Sequence, residues 1–156
     1  MAPEAGSVKM RNIINKGITE EHVFNAIELA AAAGMKNIKL YYMLGLPGEA
    51  DSDIEEMIAM IGRVREKMDA ALNKGDLIIS VNGFIPKPFT PFQWSPLCDV
   101  KTLKRRFKML ETAFKKAKHI QVQTESLKET VLQAVLARGD RRIGAALLEA
   151  STEKCR

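Results

Sequence analysis

Amphipathic helical patterns alternate along this chain with short apolar runs, and turns containing glycine or proline separate them. That alternation restricts the fold more than any other feature. Over residues 19–33, Val23, Ile27 and Ala30 recur at helical spacing, with Glu20 and Glu21 in the first turn where the helix dipole favours anions. Gly34 follows as the expected C-cap. Residues 37–44, Asn-Ile-Lys-Leu-Tyr-Tyr-Met-Leu, read as a buried strand between glycine-containing turns. Ser52-Asp53-Ile54-Glu55 has the form of a capping box, and Ile54, Met57, Ile58, Ile61, Val64, Met68 and Leu72 then make one apolar stripe. After the turn Asn73-Lys74-Gly75-Asp76, residues 77–85 read as a second strand. A third helix is expected over residues 100–116, with Leu103, Phe107, Leu110 and Phe114 inside and Lys101, Lys104, Arg105, Lys108 and Lys115 outside. A short strand over 120–123 and two helical stretches, one with Leu127, Val131, Leu132, Val135 and Leu136 and one over 143–150, complete the pattern. Parallel strands need a crossover, usually a helix, so the chain is expected to be α/β with a parallel sheet of βα units. A doubly wound sheet and a segment of an eight-stranded barrel both satisfy the pattern, and in both the ligands gather at the carboxyl ends of the strands.

Composition narrows the function classes. With 46% hydrophobic and 28% charged residues, the chain reads as globular rather than disordered or fibrous. Its 24 Lys plus Arg against 19 Asp plus Glu give a net charge of +5, enough to attract phosphates but not to define a nucleic-acid binder. Cys98 and Cys155, far apart and without a neighbouring histidine, build neither a disulfide framework nor a metal site. With no signal-peptide pattern and no run of 18 apolar residues, a cytoplasmic location and no membrane partner are expected.

Three loops concentrate the residues that carry chemistry. In Pro3-Glu4-Ala5-Gly6-Ser7, Gly6-Ser7 allows a tight turn into a helix whose N–H groups and Ser7 hydroxyl can bind a polar ligand, and Glu4 can accept from a vicinal diol. A capped helix start with exposed charges is the plainer alternative. In Met43-Leu44-Gly45-Leu46-Pro47-Gly48-Glu49, backbone groups lie open between apolar side chains, which suits a flat heteroaromatic ring; the alternative is an ordinary strand-to-helix turn. This segment matches neither the P-loop nor the dinucleotide fingerprint. Residues 84–96 hold Pro86, Pro88, Pro91 and Pro96 with Phe89, Phe92 and Trp94 beside Lys87, Thr90 and Gln93. So stiff and aromatic a loop binds or covers something, or plugs the sheet's end.

Together these loops resemble the C-terminal half of the catalytic barrel of the radical S-adenosylmethionine superfamily, in its cobalamin-linked and methylthiotransferase-like branch. The resemblance rests on Pro3 to Ser7 with Ile14-Asn15-Lys16-Gly17-Ile18-Thr19, on Gly45-Leu46-Pro47-Gly48-Glu49, and on the segments 86–94 and 136–142. It implies a partial, half TIM-like barrel with helices on its outer face. Residues 1–18 would form the ribose-motif loop and helix start, 35–98 two strand–loop units, and 99–156 a helical C-terminal part. Glu4 and Ser7 would lie near the ribose of S-adenosylmethionine, Arg11 would pair with its carboxylate, and Met43, Leu44, Gly45, Leu46, Pro47 and Glu49 would hold the adenine. Lys87, Phe89, Thr90, Gln93 and Trp94 would face the substrate.

The superfamily's Cys-x-x-x-Cys-x-x-Cys motif does not occur in these 156 residues, and two distant cysteines cannot give three thiolates to a [4Fe–4S] cluster. The expectation is therefore a segment of an iron–sulfur oxidoreductase, inactive alone, whose partner is the cluster-binding N-terminal half of the same polypeptide, with cobalamin in a domain further upstream. Self-association of two half-barrels is also expected. Two rival readings remain: a basic RNA-binding module, and a stand-alone domain that binds a small molecule. The basic run from Lys101 to Lys118 reads first as a solvated helix face, Arg138 to Arg142 as a salt-bridged turn or anion clamp, and His22 and His119 as surface residues.

Overall fold

The computed structural model describes residues 1–71 and 74–152. Leu72, Asn73 and Cys155 lie outside the described residues. Three strands, β1 (Ile38–Leu44), β2 (Leu77–Gly83) and β3 (Ile120–Thr124), form a parallel sheet in the order β1-β2-β3. Ile38 pairs with Leu77 and Leu77 with Ile120, so the strands start level. On the other side of β1, residues 1–4 run parallel to it: Tyr41 N–H donates to Met1 O (3.0 Å), Glu4 N–H to Tyr41 O (3.1 Å) and Met43 N–H to Glu4 O (2.8 Å). Neighbours in sequence are thus neighbours in the sheet.

The helices are α1 (Val8–Ile13), α2 (Glu20–Ala32), α3 (Asp51–Ala70), α4 (Val100–Phe114), α5 (Leu127–Arg138) and α6 (Arg142–Thr152). Leu40, Tyr42 and Leu44 of β1 and Leu77, Ile79 and Val81 of β2 are buried in one core with Val23 and Ile27 of α2, the α3 stripe and Leu103, Phe107 and Leu110 of α4. The alternate residues Lys39, Tyr41, Met43, Ile78, Ser80 and Asn82 stay half-buried or exposed. A doubly wound sheet would cover both faces. Parallel strands in consecutive order with this one-sided burial instead define a segment of a TIM-like barrel, helices outside, as expected. Among the described residues no helix is long and apolar enough to cross a membrane.

Local chemistry accounts for the ends of these elements. Thr19 caps α2 by accepting from His22 N–H (3.2 Å), and His22 Nδ1 accepts from Thr19 N–H in return (3.2 Å), which gives a residue read as a plain surface group a definite role. Gly34 takes a φ of +78° just past the helix end. At α3 the structure differs from the expected capping box: the N-cap is Ala50, and Asp53 accepts from its N–H (2.7 Å). Asp53 stands at the third helical position, within reach of that N–H, whereas Ser52 and Glu55 stay exposed. The second strand closes at Gly83 rather than residue 85, because its partner β1 ends at Leu44, whose carbonyl takes the last rung from Phe84 N–H (2.7 Å) before the chain turns at Gly45 (φ +88°). Gly83 itself is bare where Thr130 of α5 packs.

Candidate functional site

A cleft of about 540 Å³ opens at the carboxyl ends of the strands. Glu4 enters it from the first extended segment, Met43 from the end of β1, Asn82 from the end of β2, Lys87 from the loop beyond, Glu125 from just after β3 and Gln133 from α5. Glu4 holds a φ of +67°, a left-handed conformation uncommon for a residue with a side chain, and it pairs with Lys16 at 3.4 Å. Glu125 is fastened by Gln133 Nε2, which donates to it at 2.6 Å. Asn82, Glu125 and Gln133 were not singled out in the sequence. The first two end or follow strands of a parallel sheet, which is the signal that could have marked them.

Of the expected cofactor contacts, Glu4 and Met43 face this cleft, while Ser7, Arg11 and Glu49 do not line it and bond to neighbouring groups of the protein. Ser7 is fully buried; its hydroxyl accepts from Met10 N–H (3.1 Å) and donates to Asp53 Oδ1 (2.7 Å). Lys9 Nζ reaches the other oxygen of Asp53 at 2.7 Å. Burial raises the Asp53 carboxyl, but the hydrogen bonds from Lys9, Ala50 and Ser7 outweigh it and the net shift is downward. One carboxylate thereby ties the turn after residue 4 to the start of α3.

Arg11, expected to pair with a ligand carboxylate, is only 2% exposed. Its Nη1 donates to Gly6 O at 2.7 Å and Ala5 O at 3.1 Å and also meets Met60 Sδ at 3.5 Å, so it holds the turn's carbonyls from behind. Gly6 is required there for a different reason than turn flexibility. A Cβ on it would lie 2.1 Å from Met57 Cβ, so its bareness lets α3 pack directly on the turn.

The second turn has the same construction. Gly45 N–H, which could have met a ring edge, donates to Glu49 Oε2 at 2.6 Å. Glu49 has a side chain only 1% exposed and also accepts from Arg106 Nη1 (2.7 Å), while Arg106 Nη2 donates to Glu49 O (2.7 Å). Burial pushes the Glu49 carboxyl up to about 7, against the Gly45 N–H and the Arg106 guanidinium. Gly45 has a φ of +88°, and the space a side chain would need is filled by Cys98 and Leu103. Leu44, Gly45 and Leu46 are buried and Pro47 is half-buried, so this turn presents only part of its apolar edge.

The proline-rich loop divides. Lys87 lines the cleft, but Phe89, Gln93 and Trp94 line a separate pocket of about 390 Å³ against Ala137, Arg138 and Gly139 at the end of α5. Thr90 lines neither; its hydroxyl donates to Lys87 O (2.8 Å) inside the loop. Of the five residues expected to share one substrate face, one lines the cleft, three line the second pocket and Thr90 lines neither.

A parallel α/β sheet with its helices outside and a cleft of mixed charge at its carboxyl ends defines a binding scaffold of the barrel class. Residues 1–61 match the model of the Radical SAM superfamily. An uncharacterized protein of Methanocaldococcus jannaschii is 40% identical over 143 residues, covering 92% of this chain and 30% of that protein. The chain thus spans about 30% of the length of the curated relative it matches. No solved structure matches it. The family implies S-adenosylmethionine and a [4Fe–4S] cluster. The Glu4 carboxylate, partly open to the cleft beside Met43, fits a diol and an apolar ring. The residues described do not fit the cluster. Cys98 is half-buried against Gly45, its thiol pushed up by burial, and among the described residues no three His, Cys, Asp or Glu side chains could share a metal.

Proposed function

We propose that these residues form the S-adenosylmethionine-facing part of a radical enzyme that makes a 5′-deoxyadenosyl radical, and that the cluster's thiolates come from outside them. The observation that carries this reading is the sheet-end cleft, in which Glu4, from within the segment matching the Radical SAM superfamily, meets Met43, Asn82 and Lys87. Glu4 accepts the ribose hydroxyls and the Met43 edge packs on the adenine, while Ser7, Arg11 and Glu49 position those two turns. Lys87, Glu125 and Gln133 face the substrate side.

The motifs at 86–94 and 136–142 support the finer placement in the cobalamin-linked, methylthiotransferase-like branch, with this chain as the C-terminal half of the barrel. The missing Cys-x-x-x-Cys-x-x-Cys run supports its being inactive alone, and the lack of a signal-peptide pattern a cytoplasmic location. The uncovered sheet face supports docking against the other half of the barrel or a second copy. Titration calorimetry tests the core of the proposal. S-adenosylmethionine is expected to bind the chain without iron, and Glu4→Gln to weaken it about tenfold through loss of a charged acceptor. No binding heat at millimolar ligand overturns the cleft assignment. An iron–sulfur absorption band with reductive cleavage by the chain alone overturns the placement of the cluster elsewhere.

A further inference from the structure

The loop beyond β2 exposes what a folded chain normally hides. Phe89 is 97% and Trp94 85% exposed, yet neither sits on a loose segment. Phe92 stacks edge-on against Phe84 with ring centroids 5.5 Å apart, Gln93 N–H donates to Thr90 O (3.0 Å), and Phe89 N–H donates to Gln93 Oε1 (3.3 Å). Phe89 is held at a φ of +61°, where a bulky residue is a genuine outlier, so the backbone accepts strain to present that ring to solvent.

The second wall carries charge. Arg138 Nη1 donates to Ser95 O at 2.6 Å and clips the end of α5 to the loop; its remaining N–H donors have no partner among the described residues. The nearby carboxylate, Asp140, is already engaged by Arg142 at 2.8 Å, and Arg141 is exposed with no ion pair among the described residues. The loop then runs into α4, whose first turns expose Lys101 and Lys104. Two solvent-facing aromatic rings on a hydrogen-bonded loop, beside the guanidinium of Arg138 and around a space of about 390 Å³, are the chemistry that stacks a planar base and pairs with its phosphate.

We propose that Phe89, Trp94 and Arg138 form a nucleotide-binding pocket distinct from the sheet-end cleft, which takes a base on the aromatic rings and the adjoining phosphate on the guanidinium. A free nucleotide and a nucleotide within single-stranded RNA offer that same chemistry. The proposal does not rest on the radical-enzyme reading, since it uses none of the cleft's residues.

Trp94 is the only tryptophan of the chain, so its fluorescence reports the pocket directly. The probes are UMP and an oligo(U) RNA of about ten nucleotides at low salt; uracil keeps an adenine site in the cleft out of the signal. Saturable quenching is expected. Phe89→Ala should weaken it about tenfold, Phe89→Tyr should retain it, and Arg138→Gln should weaken it and flatten its salt dependence. Equal affinity per site for both probes identifies a free nucleotide as the ligand, and binding of the oligomer alone identifies single-stranded RNA. The proposal is overturned by no saturable quenching with either probe, by unchanged affinity in a folded Phe89→Ala chain, or by duplex RNA binding as tightly as the single strand.

Discussion

Two loop systems at the same end of the sheet solve opposite problems. In the turns at residues 5–7 and 45–49 the polar side chains point inward: Asp53, Arg11, Glu49 and Arg106 satisfy buried hydroxyl, N–H and C=O groups, and what remains at the rim is a fixed backbone edge with Glu4 and Met43. In the loop at 84–98 Phe89 and Trp94 point outward while Ile85 stays buried, and stiffness comes from proline, the Phe84–Phe92 ring contact and short-range hydrogen bonds instead. Charged residues in or beside a glycine-containing turn are therefore a poor guide to ligand contact. Low dielectric makes an unmet backbone group costly, so such charges are drawn inward to meet it.

This contrast is sharpest in what substitution should do to stability. The largest effect is expected for Arg106→Met, which strands the Glu49 carboxylate: about 3–5 kcal/mol at pH 8 in urea unfolding, less at pH 5 where the carboxyl is protonated. Next comes the pH profile itself. Folding raises the Glu49 carboxyl from 4.5 to about 7, so the folded chain keeps a proton that the unfolded chain releases, and stability falls as pH rises across that window. The fall is at most about 3 kcal/mol, and Glu49→Gln should remove it; a variant with an unaltered slope would place the titration elsewhere. The smallest effect is expected for Phe89→Ala and Trp94→Ala, each within about 0.5 kcal/mol, because rings this exposed bury nothing. A loss of several kcal/mol there would show that the loop's aromatics hold the fold and would erase the comparison.

Much of the fold could be read from residue order. The stripe from Ile54 to Met68, the glycine at 34 and the short apolar runs locate α2, α3, β1 and β2 to within a residue or two, because helical and strand periodicities are local properties. The same order does not say which strand residues lie under helices; Tyr41 and Tyr42 are adjacent and alike, yet one is exposed and the other buried. The site was legible only in outline. The three loops do gather at the sheet's carboxyl end, but Arg11, Ser7 and Glu49 are indistinguishable in sequence from ligand-facing groups, and their partners Met60, Asp53 and Arg106 lie 46 to 57 positions away.

By itself, then, the sequence determined a parallel α/β chain with its chemistry in three loops, since pattern and turn residues act within a few positions of each other. Tertiary structure alone decided which charges reach solvent, which carbonyls they satisfy instead, and that the aromatic loop faces a pocket of its own. Those outcomes depend on what packs behind each loop, and only the long-range approach of α3, α4 and α5 supplies it.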